Sequence, residues 1–156
     1  AEASTGELNG SNGRAEAPGG GRLGDPNNNP GEISTGRGRR VRFFESGREG
    51  WEGMKNQLMR YFTGKTTGRA LQTIQDIGST WAPAGDNNDP KKYAQDVAKW
   101  MGVSPNAILN LTDPQTMGAL MQSMARKEGY SNWKSPLAYQ AAAGRLNKQN
   151  VINWLL

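Results

Sequence analysis

The sequence predicts an all-α fold, mainly helical, with a long irregular N-terminal arm and at most one very short β-hairpin. Three observations predict it. Apolar residues recur at helical spacing from residue 51 onward, glycines and Asp-Pro or Ser-Pro pairs punctuate those runs, and no two segments alternate as paired strands would. The aromatic content is also confined. The first forty residues hold no aromatic residue and ten of the 21 glycines, so the core must be built from residues beyond 40. At 156 residues the chain suits one domain with a real core.

Taken in order, residues 1–26 form the arm: Gly, Asn, Ser, Glu and Pro without a period, too poor in apolar surface to offset the entropy of ordering. A helical domain over 27–133 comes next, and a C-terminal helical extension over 134–156 completes the chain. Residues 27–46 read as loop with an extended piece at 40–44. Ser46 is an N-cap for a helix carrying Trp51, Met54, Leu58, Tyr61 and Phe62 on one side, and Gly64 stops it. A second helix is expected over 67–77, with Ala70, Leu71, Ile74 and Ile77 on a face and Gly78 as its stop. Pro83 and the Asn/Asp cluster behind it demand a turn. Asp89-Pro90 then starts a helix that turns Tyr93, Val97, Trp100 and Met101 inward. Ser104-Pro105 and Asp113-Pro114 repeat that start signal. They imply a short helix through Leu109 and a longer one with Met117, Leu120, Met121 and Met124. Weaker helical pieces are expected over 137–146 and 150–156.

Composition removes several chemistries. With neither Cys nor His there is no disulfide scaffold, no thiolate or imidazole metal site and no His-dependent triad, and no metal or cofactor is expected. No apolar run reaches membrane-spanning length and no signal-peptide pattern opens the chain, so a soluble protein without a membrane span is expected. The formal net charge is +5, and the surplus lies beyond residue 40, where 14 basic residues face 9 acidic ones. A basic surface suits nucleic acid, an anionic cell-wall polymer or an acidic protein partner, and serves solubility equally well.

Several blocks recur in a fixed order: Asn27-Asn28-Asn29-Pro30-Gly31-Glu32-Ile33, Val41-Arg42-Phe43-Phe44-Glu45-Ser46, Trp81-Ala82-Pro83, Gly85-Asp86-Asn87-Asn88-Asp89 and Ala125-Arg126-Lys127-Glu128-Gly129. The series resembles a lysozyme-like domain of tailed-phage virion and prophage-encoded proteins. Its pattern runs NNNPGNI, a short aromatic segment, an amphipathic helix, a WAPP block and an ARHENG-like end. The resemblance implies a lysozyme-like helical fold in a superfamily that cleaves peptidoglycan. It also implies a place in the virion, after synthesis in the bacterial host cytoplasm, among other virion proteins in a homo- or hetero-oligomeric assembly. This chain departs from the pattern at Glu32 (Asn in the family), Ala84 (a second Pro) and Lys127 (His).

In the superfamily's enzymes the catalytic Glu ends a long helix upstream of the Asn-rich loop. Here that stretch offers only Glu7 and Glu16, set among Gly, Asn and Pro with no apolar face to hold a carboxyl protonated. No catalytic residue is therefore favoured; Glu32 and Glu128 are the weak candidates, while Glu49 and Glu52 belong to an exposed helical turn. Asn29 and Trp81 are candidates for the wall of a glycan cleft, against plainer roles in loop geometry and core. Arg37, Arg39, Arg40 and Arg42 are candidate partner contacts, to an acidic protein or to packaged DNA. Trp154, Leu155 and Leu156 form an apolar end suited to docking. The leading expectation is a non-catalytic virion structural protein whose arm and tail contact neighbouring subunits. The alternatives are a virion-associated peptidoglycan hydrolase, of muramidase or lytic transglycosylase type, and a basic cell-wall or nucleic-acid binding module.

Overall fold

A computed structural model describes residues 23–35, 40–86 and 88–144. Five α-helices make up the fold: α1 (Gly47–Thr63), α2 (Ile74–Trp81), α3 (Pro90–Met101), α4 (Pro114–Glu128) and α5 (Leu137–Ala142). The all-α expectation holds. Among the described residues, β structure is limited to two isolated bridges, Ser34 to Val41 and Thr73 to Ile108.

Local chemistry explains three helices well. The Ser46 hydroxyl accepts from the Glu49 N–H at the start of α1, and Gly64 ends it in a left-handed turn, φ 85°. Asp89 caps α3 through the Lys92 N–H, with Pro90 in the first turn and Gly102 as the stop. Helix α4 starts at Pro114 and closes on Gly129, φ 84°. From α1, Trp51, Met54, Leu58 and Tyr61 are buried, and from α4 so are Met117, Leu120, Met121 and Met124. Each such side chain contributes ~1.5–3 kcal/mol by leaving water.

Two expectations are corrected. Residues 67–73 are not helical; α2 begins at Ile74, where the Thr73 hydroxyl accepts from the Asp76 N–H, and Gly78 lies inside the helix rather than ending it. Gly78 is there because α3 crosses closely: a Cβ would sit 3.3 Å from Cδ1 of Tyr93. Residues 104–109 also form no helix. Their backbone pairs with the α2 entry instead, Leu109 N–H donating to Gln72 O at 2.8 Å and Gln75 N–H to Pro105 O at 3.0 Å. Helix α5 is shorter than the 137–146 expected, and the 150–156 piece lies outside the described residues.

Helix α1 packs on α4 and α5, α4 packs on α3 and α5, and α3 packs on α2. Ala138 and Ala141 of α5 join the same core cluster as Trp51 and Met121, so no break in packing separates α5 from the helices before it. The Asn-rich loop lies on α1. Gly50 admits it, since a Cβ there would collide with the Asn28 carbonyl oxygen, and the Phe44 ring covers Gly53. Asp25 ties this loop to the far end of α4, accepting from the Ser131 N–H at 2.8 Å and from the Ser131 hydroxyl.

Candidate functional site

The loop at 27–33 is folded around Asn29. Its side-chain amide donates to the Ile33 and Arg42 carbonyls, both at 2.8 Å, and its Oδ1 accepts from the Ile33 N–H at 2.9 Å. Asn29 is 0% exposed. One short amide thus joins two stretches of loop, a task that Asp, with no donor, cannot repeat. Next to it, Gly31 meets the Trp81 ring, and the Trp81 Nε1–H donates to the Gly31 carbonyl at 3.0 Å. Trp81 is fully buried and stands edge-on to Tyr61, ring centroids 5.8 Å apart. Asn29 and Trp81, the two glycan-cleft candidates, therefore spend their polar atoms on backbone inside the fold.

Glu32 lies directly beyond, 1% exposed, with φ at 49°. That left-handed backbone is one that Asn adopts with less strain than Glu. The charge of the Glu32 carboxylate is one of the influences that raise the Tyr93 pKa on α3. Glu128, at the end of α4 and 4% exposed, meets the same side chain: the Tyr93 hydroxyl donates to Glu128 Oε2 at 2.9 Å. Burial, foremost, and then the Glu128 and Glu32 carboxylates hold the Tyr93 pKa well above its usual value. Both carboxylates singled out in the sequence thus bear on one buried tyrosine, Glu128 through a hydrogen bond and Glu32 through its charge alone. In the sequence Tyr93 reads only as a core residue, and its position one helical turn after Asp89 gives no sign of the pairing.

The other predicted contacts are dispersed. Arg40 is exposed, and its carbonyl accepts from Thr35 N–H at 2.8 Å. Arg42 is exposed and lies over the Phe44 ring, 4.7 Å from its centroid. Arg37, Arg39, Trp154, Leu155 and Leu156 fall outside the described residues. Glu49 is exposed in the first turn of α1, as expected, whereas Glu52 lies beyond that turn and is half-buried. A separate pocket of about 410 Å³ opens between α4 and α5, lined by Pro114, Gln115, Tyr139, Gln140 and Ala143, with no carboxylate in its wall. Among the described residues no group of acids could hold a metal ion, and no helix is long and apolar enough to cross a membrane.

What the fold defines is an all-α helical body with a buried acid–tyrosine cluster. Comparison with protein-family models and with curated proteins gives no match.

Proposed function

We propose that this chain is a non-catalytic structural protein of a phage particle, a lysozyme-like helical body that contacts neighbouring subunits in the assembly. The burial of Glu32 and Glu128 carries the reading. A glycosidase acid must come within hydrogen-bond reach of the sugar's bridging oxygen, with a second carboxylate or a positioned water across the bond. Both carboxylates are buried instead, Glu128 bonded to Tyr93, and Asn29 and Trp81 serve the loop and the core. The Tyr93–Glu128 contact joins α3 to α4. The lysozyme-like sequence pattern then marks a scaffold, and the contacts to other subunits fall to the surface and to the ends of the chain.

The test is incorporation. Particles assembled in cells that express the intact chain contain it, whereas a form lacking residues 1–22 stays helical by circular dichroism and is missing from purified particles. Particles without the intact chain would refute the structural role, and normal uptake of the shortened form would refute the arm's part in it.

One observation favours the second reading, a peptidoglycan hydrolase. Glu32 keeps a backbone conformation unfavourable to it and is buried, as is Glu128, and local strain of this sort gathers at functional sites. That reading requires the loop over 27–33 to open so that a glycan can reach the pair. It is decided by murein hydrolysis, with Glu32→Gln and Glu128→Gln as the controls.

A further inference from the structure

The ends of α3 and α4 meet the turn at 131–134 in a group of side chains that the acid–tyrosine cluster does not use. Arg126, exposed on the last turn of α4, lies over two half-buried indoles. Its Cζ is 4.2 Å from the ring centroid of Trp100 on α3 and 4.8 Å from that of Trp133. Lys134 stands over the same Trp133 ring at 5.2 Å. Among the described residues the Arg126 guanidinium has no hydrogen-bond acceptor and no ion-pair partner. The nearby acid is already taken: Asp96 pairs with Lys127 at 2.6 Å and with Lys92 at 2.7 Å. Two aromatic faces therefore fix a planar cation whose N–H edge is still available.

We propose that this Trp100–Arg126–Trp133 surface docks a carboxylate-bearing segment of a neighbouring protein, Arg126 gripping the carboxylate through its N–H edge. The proposal rests on the assembly reading above and gives it a contact. An arginine fixed by stacking loses little freedom on binding and presents two parallel donors, the geometry a carboxylate accepts. Trp and Arg are also the side chains that concentrate binding energy in protein–protein contacts. A single-stranded nucleic acid fits less well. It needs open aromatic faces for its bases, and here Arg126 and Lys134 lie over the rings. A duplex needs a row of free cations along its phosphates, whereas Lys92 and Lys127 are held by Asp96.

The experiment titrates the full chain with an oligoglutamate peptide, read by calorimetry and tryptophan fluorescence, with oligothymidylate and inorganic phosphate in parallel. The intact protein binds the peptide saturably. Arg126→Lys keeps the charge but loses the planar fork, and weakens binding about tenfold with an unchanged melting temperature. Lys134→Gln weakens it less, about two- to threefold. Equal affinity in the Arg126→Lys variant would overturn the proposal, because general attraction between charges would then suffice. Tighter, Arg126-dependent binding of oligothymidylate would replace it with a nucleic-acid surface, and equal binding of phosphate would reduce it to a nonselective anion contact. A chain that binds the peptide yet is absent from particles retains this surface and loses the assembly reading. One that enters particles and ignores the peptide does the reverse.

Discussion

The Tyr93 hydroxyl donates to Glu128 in the interior, so both ends of that contact depend on the proton staying where it is. Burial and the two carboxylates raise the tyrosine's pKa in the folded state, which fixes the sign of its pH effect. Below the unfolded value near 10 the tyrosine is neutral in both states and its stabilising contribution is complete. As pH rises past 10 the unfolded chain ionises first, and stability falls towards the higher folded-state pKa. Tyr93→Phe is predicted to cost about 1–3 kcal/mol at neutral pH, because the Glu128 carboxylate loses a buried donor. The same variant should lose stability less steeply between pH 10 and 12 than the wild type. Tyr130, also raised by burial and then by Asp25, retains part of that alkaline slope. Chemical denaturation across that pH range measures both effects; an unchanged alkaline slope would mean that Tyr93 does not ionise on unfolding.

Helix α1 gives the clearest case at the scale of the element. Its glycines at 47, 50 and 53 look like poor helix formers, and each should gain up to ~1 kcal/mol on replacement by Ala. Gly47→Ala should obey that rule, since a Cβ there meets nothing nearer than 3.8 Å. Gly50→Ala should reverse it and destabilise by about 2 kcal/mol or more, because the new atom collides with the Asn28 backbone. Melting temperatures of the two variants check the contrast. Gains in both would mean that the loop does not lie on α1. The starts of α1, α3 and α4 and the stop of α1 were legible in the sequence because these signals are local: a capping hydroxyl or carboxylate three residues before an N–H in α1 and α3, a proline at the first position in α3 and α4, and Gly64 at the end of α1. The segments at 67–73 and 104–109 were not, because their backbone groups find one another across about thirty residues or more, as in Leu109 to Gln72. The glycine spacing in α1 was visible, but what it admits depends on a loop folded back from twenty residues upstream. Glu32 and Glu128 stood out as carboxylates within a recognisable pattern. The bond from Tyr93 to Glu128 did not, since only tertiary packing brings residue 93 to residue 128.

At the scale of the whole molecule, α1 and α4 form the centre, α5 seals one side, and the α2–α3 pair carries Trp81 against the Asn-rich loop and Tyr93 against α4. This arrangement turns Asn29, Glu32, Trp81 and Glu128 inward, away from solvent. It leaves outside a basic and aromatic surface at the ends of α3 and α4. The proposed assembly role fits that arrangement, with acids as internal contacts and binding chemistry on the exterior. The most direct measurement is the release of soluble muropeptides from purified murein by the intact protein, over pH 4 to 8, by chromatography. No release above a protein-free control is predicted for the wild type, for Glu32→Gln or for Glu128→Gln. Release by the wild type that disappears in either variant would contradict the account and make the buried pair an active site.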